Sequence, residues 1–130
     1  MASWQAYLDP VLASGNLQAG AIIQCDNSQI VAQSPGFQMA AADVQGLTNS
    51  LGYYGSSSSF YATRPSINGV VFTPSDYQPG EGFSYRNGST VVSVYKSNTM
   101  AVLGVYSSNA SGTAIFRLSG LADWLKSNGY

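Results

Sequence analysis

Histidine is absent from this chain of 130 residues, and cysteine occurs only once, as Cys25. Without histidine the chain has no Ser-His-Asp or Cys-His catalytic group and no zinc site with an imidazole ligand. A lone cysteine forms neither an internal disulfide nor a CxxC redox centre, and we interpret Cys25 as a buried strand residue. The six carboxylates lack the paired spacing that hydrolysis needs. We therefore expect no catalytic residue, no metal site, no cofactor and no enzymatic activity.

Charged residues are scarce as well, at 8% of the chain against about 25% in an ordinary soluble domain. Three Arg and two Lys are too few to neutralise the roughly six to ten phosphates of a duplex-binding surface. No apolar run approaches the roughly 18 residues of a membrane span, and the first residues lack the basic-then-apolar pattern of a signal peptide. We expect no nucleic-acid partner, no membrane span and a cytosolic location.

Small neutral residues take the place of the missing charges, since the chain has 20 Ser, 14 Gly and 8 Asn. Hydrophobic residues make up 45%, as in ordinary globular proteins, so the composition is not that of a disordered chain. A chain of this length buries about two-thirds of its unfolded surface on folding. We expect one domain over residues 1–130.

Each end of the chain carries an apolar stripe with helical spacing. The N-terminal stripe, with Ser3 as its N-cap, consists of Trp4, Tyr7, Leu8, Val11 and Leu12. Pro10 falls inside this stripe and removes a main-chain hydrogen bond, so the helix either kinks there or ends early. The C-terminal stripe predicts a core-facing helix from near Ser111 to near Gly129. Its members are Ala114, Ile115, Leu118, Leu121, Ala122 and Leu125.

The first internal segments predict a hairpin and a second helix. Ala19–Gln24 and Gln29–Gln33 are short apolar runs on either side of the turn Asp26-Asn27-Ser28, which is typical of a β-hairpin. Ala40–Leu51 has helical spacing, and Gly52 follows it at the position that favours a helix end.

The later part of the chain predicts mainly strands. Stretch 52–65 is rich in Ser, Gly and Tyr and predicts a loop, unless Phe60 and Tyr61 begin a short strand. Pro74–Gly80 predicts another loop, and Asn87-Gly88 predicts a tight hairpin turn. The predicted strands are Gly69–Thr73, Gly82–Arg86, Thr90–Tyr95 and Thr99–Tyr106. Sequential hairpins make an antiparallel sheet, so the fold class is α+β with helices covering the sheet faces.

Aromatic residues at the two ends of the chain are the most informative feature. Trp124 falls outside the apolar stripe of its helix, about 100° round the axis from Leu125. Docking of a terminal helix on the sheet is the simpler explanation for Tyr7. It explains Trp124 less well, because that helix already has a complete aliphatic stripe elsewhere. If the terminal helices lie side by side, they form one exposed aromatic floor. Such a floor suits a polyproline II peptide, because rings stack on prolines while indole N–H and phenol O–H groups bind its carbonyls.

Three segments carry a resemblance to the profilin family. Ser3–Asp9, which reads SWQAYLD, resembles the SWQxYVD opening of profilins. Ala21-Ile22-Ile23 and Val31-Ala32-Gln33-Ser34 are similar to their AAIIG…VWAQS hairpin, and Leu121–Leu125 followed by Gly129-Tyr130 resembles their LGDYL…G ending. The resemblance spans the whole chain, with the segments in the family's order.

The resemblance implies an α+β fold: an antiparallel sheet of six to seven strands, with the N- and C-terminal helices packed together on one face and a further helix on the other. It implies binding of monomeric actin, of proline-rich proteins such as formin-like assembly factors, and of phosphoinositides, in a cytoplasmic protein associated with the cytoskeleton. The implied polyproline-binding residues are Trp4, Tyr7, Trp124 and Tyr130. The implied actin-binding residues are Arg86, Lys96 and Arg117.

Two departures from the family pattern bear on function. Val31 occupies a position where the family usually has a further tryptophan, which lowers the expected polyproline affinity. The family's basic pairs become Asn87-Gly88 and Tyr95-Lys96 here, so we expect slower actin association and weak phosphoinositide binding at most. An alternative function stays open, namely a profilin-like module that binds peptides or small molecules and has lost most actin affinity.

Overall fold

The protein is described by a computed structural model, which covers residues 4–51, 57–78 and 81–130. Its fold is built on an antiparallel sheet. The strands, in chain order, are β1 (Ala19–Gln24), β2 (Gln29–Gln33), β3 (Ser66–Ile67), β4 (Val70–Val71), β5 (Thr73–Gln78), β6 (Gly82–Asn87), β7 (Thr90–Lys96) and β8 (Met100–Ser107). The helices are α1 (Trp4–Ser14), α2 (Ala41–Ser50), α3 (Ser57–Ala62) and α4 (Ser111–Ser127), and a 3-10 turn at Ser108–Ala110 precedes α4.

Six strands form the main sheet in the order β2-β1-β8-β7-β6-β5, and every neighbouring pair is antiparallel. α1 and α4 cover one face, where Leu8, Val102 and Leu118 are buried in one apolar cluster. α2, α3 and the separate hairpin β3–β4 cover the other face, around a second cluster that includes Leu47 and Phe60. The predicted α+β class, strand number and placement of the terminal helices are confirmed.

Most of the predicted elements are confirmed close to their expected bounds. The first hairpin has the predicted limits, and the second and C-terminal helices are α2 and α4. The last three predicted strands are β6, β7 and β8. Gly88 in the turn between β6 and β7 has φ 59°, the left-handed conformation that such a tight turn favours. Gly52, expected to end α2, lies outside the described residues.

The N-terminal helix continues past its proline. α1 runs from Trp4 through Pro10 to Ser14, so of the two alternatives an early end is wrong. The hydroxyl of Ser14 donates to the carbonyl of Pro10 at 2.8 Å. The missing proline N–H deprives the Ala6 carbonyl of its helical donor, but Ala6 is exposed, so water can take that place. The predicted N-cap Ser3 lies outside the described residues.

α3 replaces part of the loop predicted for residues 52–65. Phe60 and Tyr61 lie in this helix, so both the loop and the strand alternative are wrong there. Phe60 is fully buried, and its ring centroid lies 5.2 Å from that of Tyr77. Burial of this ring stabilises a helical turn that a serine-rich segment does not favour by itself. Residues 52–56 of the predicted loop lie outside the described part of the chain.

β5 replaces most of the loop predicted for Pro74–Gly80. This strand pairs with β6 along its length, so the prediction is wrong up to Gln78, and the two residues beyond are not among those described. Pro74 is tolerated because β5 is an edge strand, where one side needs no donor. The strand predicted over Gly69–Thr73 is divided, since buried Phe72 separates β4 from β5.

Two glycines face each other across β1 and β8 beneath the terminal helices. Gly20 and Gly104 are register partners. A Cβ on Gly104 would lie 2.7 Å from both methyl carbons of Leu118, and a Cβ on Gly20 would lie 2.9 Å from Cδ2 of Leu12. Such distances are too short for real side chains. A side chain at either position would force Leu118 or Leu12 to shift, so the glycine pair permits the close packing of α1 and α4 on the sheet.

Gly104→Ala is expected to lower the free energy of unfolding by about 1–3 kcal/mol, because the new methyl group must displace Leu118 in a close-packed core. Gly120→Ala is the matched control, since no neighbouring atom lies within 4 Å of its Cβ position in α4. We expect this control to gain about 0.5–1 kcal/mol through helix propensity. Urea unfolding measures both changes, and a Gly104→Ala protein as stable as the parent would contradict the close approach.

Candidate functional site: an aromatic row and a polar cleft

Four aromatic side chains from the two ends of the chain form a continuous row of rings. Ring centroids are 5.0 Å apart between Tyr130 and Trp4, 5.9 Å apart between Trp4 and Tyr7, and 5.0 Å apart between Tyr7 and Trp124. The first two pairs meet edge to face and the third is tilted, which are favourable geometries for aromatic pairs. The structure thus brings together all four residues chosen from the sequence, and we call them the aromatic row.

The aromatic row is partly open to solvent and rests on the core. Trp124 and Tyr130 are 45% and 42% exposed. Trp4 and Tyr7 are half-buried and pack against the apolar cluster beneath α1 and α4. Exposed ring faces on a packed base can stack on an apolar ligand. The indole N–H and phenol O–H groups of the row add hydrogen-bond donors at the same surface.

Gln5, next to Trp4 in α1, ties this helix to the edge of the sheet. Its Nε2 donates to the carbonyl of Gln33 at 2.9 Å, and its Oε1 accepts from the amide of Gln33 at 3.1 Å. Nε2 also donates to Oδ1 of Asp9 at 2.8 Å. Because β2 is an edge strand, Gln5 binds main-chain groups that would otherwise need water or another strand. These contacts fix α1, and with it the row, against β2.

Tyr130 follows α4 and is held by the turn between β7 and β8. Its main-chain oxygen accepts hydrogen bonds from the amide of Thr99 at 2.7 Å, from Oγ1 of Thr99 at 2.9 Å and from Oγ of Ser97 at 2.7 Å. Its amide donates to the carbonyl of Leu125 at 2.9 Å. Gly129 has φ 87°, which lets the chain turn back after the helix. The last ring of the row is therefore attached to the sheet through its main chain.

A β-bulge in the first hairpin places Val31 on the face covered by the terminal helices. Ile22 pairs with Ala32 and Ile23 with Ile30, so Val31 is the extra residue of β2. It is half-buried and packs against the same cluster as the inner rings of the row. An aliphatic side chain thus stands where the resemblance implied a fifth ring. The bulge was not predicted, because an apolar run carries no sign of an extra residue.

A cleft of about 450 Å³ lies between α4 and the outer strands of the sheet. Arg86 lines it, and neutral hydroxyl groups supply most of its other polar side chains. Ser93 and Tyr106, two of these, share a buried hydrogen bond of 2.7 Å. The hydroxyl-bearing side chains of the lining are Ser75, Ser84, Ser93, Tyr95, Tyr106, Ser111 and Ser119.

The three cations expected to bind actin lie in different surroundings. Arg86 is exposed on β6 and lines the cleft. Lys96 is half-buried at the end of β7. Arg117 is exposed on α4, where its guanidinium carbon lies 5.4 Å from the centroid of the Phe116 ring and its Cβ lies close to Gly15. Arg86 and Lys96 therefore line different pockets, and Arg117 packs beside an aromatic ring.

Acidic groups border the same region. Lys96 shares a pocket of about 220 Å³ with Glu81 and with one acidic and one basic residue of α4. Burial raises the pKa of Tyr95 to about 12, and the neighbouring Tyr106, Asp76 and Glu81 add to this rise. The negative field of these two carboxylates opposes anion binding at this surface. The surface is therefore mixed in sign.

α4 exposes two large apolar side chains that sequence reasoning did not assign to a surface. Ile115 was predicted to face the core but is 39% exposed, so this prediction is wrong, while the other five members of the stripe are buried. Its position, about 100° from Ala114, puts it at the margin of the stripe. Phe116 is 67% exposed. Phe116 lies outside the apolar stripe of α4. Trp124 was selected from the sequence for the same reason, so this criterion also identifies Phe116.

Cys25 is placed in the turn after β1 and not in a strand, and it is half-buried. Burial raises the pKa of its thiol, although the positive charge of Lys96 acts in the opposite direction, so the thiol is a poor nucleophile at neutral pH.

Within residues 4–51, 57–78 and 81–130, no three Cys, Asp or Glu side chains are grouped so as to hold a metal ion. No helix of these same ranges is long and apolar enough to cross a bilayer.

The chain is similar to known profilins in sequence and in fold. The profilin family model matches residues 2–130. Profilin-1 of Dictyostelium discoideum is 24% identical over 129 residues, which cover 98% of this chain and 99% of that protein. The structure of Acanthamoeba castellanii profilin IA superimposes with a TM-score of 0.86 at 25% identity, covering 98% of this chain and 100% of the other. Mouse profilin IIa, in complex with a double repeat from the FH1 domain of mDia1, gives a TM-score of 0.74 at 15% identity, covering 99% and 100%.

The comparisons agree with the architecture described above. The family match extends over all but the first residue. The Acanthamoeba profilin has the same fold over its full length. The resemblance seen in the opening segment, the first hairpin and the end of the chain is confirmed, and the chain belongs to the profilin family.

Proposed function

We propose that this chain binds monomeric actin and proline-rich peptides at two separate surfaces, and so acts as an adaptor that regulates actin assembly. Profilin-family proteins are actin-binding adaptors and not enzymes, and membership of the family supports the actin-regulating function. The observation that carries the peptide-binding function is the continuous aromatic row. A protein with this function works in the cytoplasm, in association with the cytoskeleton.

The aromatic row suits a polyproline II ligand in spacing and in chemistry. This helix advances about 3.1 Å per residue, so the 5.0–5.9 Å between ring centroids corresponds to about two ligand residues. The ligand makes no internal hydrogen bonds, and its carbonyls are free to accept from indole and phenol groups. The FH1 double repeat bound to mouse profilin IIa supports a segment of a formin-like assembly factor as the partner.

We propose that actin binding centres on the first half of α4, around Phe116. Arg86 and Arg117 supply positive charge there, and the exposed ring of Phe116 adds apolar area. Lys96 extends this surface toward the second half of α4, where it shares a pocket with Asp123 and Lys126. Phe116 and Trp124 are eight residues apart, which is about 12 Å along a helix. The two rings therefore lie a little more than two helical turns apart.

Phosphoinositide binding is expected to be weak or absent in this protein. Such binding needs clustered basic charge. Here Arg86 lines the cleft, Lys96 lies in the pocket with Glu81, and Arg117 packs beside the Phe116 ring. Glu81 shares the pocket of Lys96, which lowers the local positive potential further. The whole chain has a formal net charge of −1 at pH 7, so no general attraction to an anionic membrane compensates.

A second candidate function is the binding of peptides or small molecules without appreciable actin binding. The cleft beside Arg86 favours this alternative, because hydroxyl groups and the carboxylates of Asp76 and Glu81 line it in place of clustered cations. The two candidates differ in one observable. The alternative predicts polyproline binding together with actin assembly that the protein does not alter.

Trp124→Ala is expected to weaken polyproline binding by about threefold to tenfold, because one stacking surface and one N–H donor are lost. Isothermal titration calorimetry with a polyproline decamer measures the change. Phe116→Ala is the matched control, since it removes an exposed ring of the same helix outside the row. We expect the control to bind like the parent, and a parent protein that shows no binding would contradict the peptide-binding function.

Val31→Trp is expected to strengthen polyproline binding by up to about tenfold, because it adds a fifth ring beside the row. Val31→Leu enlarges the side chain without adding a ring, and we expect it to change the affinity little. The same calorimetric titration compares both variants with the parent. An unchanged affinity in a folded Val31→Trp protein would show that this position does not adjoin the ligand.

Phe116→Ala is expected to weaken actin binding by about tenfold, since an exposed ring loses its buried contact with the partner. Arg86→Ala should change the affinity by about fivefold at most, because an exposed ion pair contributes about 0–1 kcal/mol. Inhibition of pyrene-actin assembly measures both. Trp124→Ala is the control and should inhibit like the parent. Assembly that a micromolar excess of parent protein leaves unaltered would exclude the actin function and favour the second candidate.

A further inference from the structure

The turn between β7 and β8 makes several hydrogen bonds to Tyr130, at the end of the aromatic row. Three donors converge on the main-chain oxygen of Tyr130: the amide and hydroxyl of Thr99 and the hydroxyl of Ser97, at distances of 2.7, 2.9 and 2.7 Å. Ser97 is only 5% exposed, and its Oγ also accepts from the amide of Met100 at 3.1 Å. The carbonyl of Met100, at 3.2 Å, is a second acceptor for the Ser97 hydroxyl, but the Tyr130 oxygen is closer. The bond from the Met100 amide holds Oγ in place beside the Tyr130 oxygen, so the hydroxyl is in position before any ligand arrives.

This contact lies where the chain would otherwise be loosely held. Tyr130 comes after the last residue of α4, and residues beyond a helix end fray unless other contacts tie them down. Tyr130 is 42% exposed, and the only ring of the row that its own ring contacts is that of Trp4. A ring that had to be ordered on binding would lose conformational entropy at that moment and reduce the affinity.

We propose that Ser97 and Thr99 are positioning residues for the polyproline-binding surface: they preorganise the ring of Tyr130 and act through it, not by contact with the ligand. This inference rests on the proposed peptide-binding function of the aromatic row. The contribution of Tyr130 is larger because Val31 supplies no ring, which leaves the surface with four rings. Each ring of the row therefore provides a larger share of the total stacking area.

A double variant, Ser97→Ala with Thr99→Val, removes two of the three donors and keeps the Thr99 amide. We expect it to weaken binding of a polyproline decamer by about threefold to tenfold in calorimetry, because the ring must then be ordered on binding. Thr99→Ser keeps the hydroxyl and should bind like the parent. Asn98→Ala, at an exposed position of the same turn, is the matched control and should also bind like the parent.

Thr99→Val alone keeps the test decisive if the buried Ser97→Ala change impairs folding. Thr99 is exposed, so its substitution leaves the core intact, and the loss of one donor should weaken binding by about twofold to threefold. Parent-like affinity in both the folded double variant and Thr99→Val would overturn the proposal. Where the double variant does not fold, parent-like affinity of Thr99→Val alone overturns it.

Tyr130→Ala provides a background in which the ring is missing while the main-chain oxygen and its three donors remain. If Ser97 and Thr99 act through the ring, their substitution has no further effect on affinity in this background. An equal loss of affinity in both backgrounds would overturn the proposal, because it would indicate general loosening of the fold.

Amide hydrogen exchange without peptide separates failure of the positioning role from failure of the proposed function. We expect the Thr99 amide to be protected in the parent, and the Tyr130 amide to exchange faster in the Ser97→Ala, Thr99→Val variant. A parent that binds the peptide but leaves the Thr99 amide unprotected overturns only the positioning role. A parent that does not bind the peptide overturns the function and the positioning role together.

Discussion

The close approach of both terminal helices to the sheet at Gly20 and Gly104 is the constraint on which the rest of the structure depends. The two glycines are partners across β1 and β8, and neither carries a side chain that would hold Leu12 or Leu118 away from the strands. α1 and α4 therefore pack on one face around a shared apolar cluster. The two ends of the chain meet there and form a row of four rings that neither helix presents by itself.

The scarcity of charge has different consequences at the two proposed binding surfaces. Stacking and neutral N–H and O–H donors carry binding at the aromatic row, so few charges are needed there. At the cleft beside Arg86, most polar groups are hydroxyls, and the carboxylates of Asp76 and Glu81 offset the positive charge. Association with a partner at this second surface is therefore less guided by electrostatics and less dependent on salt.

Features that depend on local periodicity were predicted, and those that depend on distant contacts were not. The terminal helices and the first hairpin have patterns that persist over several residues. α3 and β5 have no such pattern, and they form because Phe60 and Tyr77 bury their rings against each other and against the sheet. Trp124 was found because it lies outside the stripe of its helix. The hydrogen bonds that hold the main-chain oxygen of Tyr130 could not be predicted from the sequence, because every residue type has such an oxygen.

The central claim is that rings from both ends of the chain act as one ligand-binding surface. Trp4 and Trp124 are the only tryptophans, so the isotope-labelled protein has one indole N–H resonance from α1 and one from α4. Titration with an unlabelled polyproline decamer, followed by heteronuclear NMR, tests the claim most directly. Both resonances should shift along the titration with the same dissociation constant. A saturating titration in which either indole resonance stays in place would contradict a shared surface.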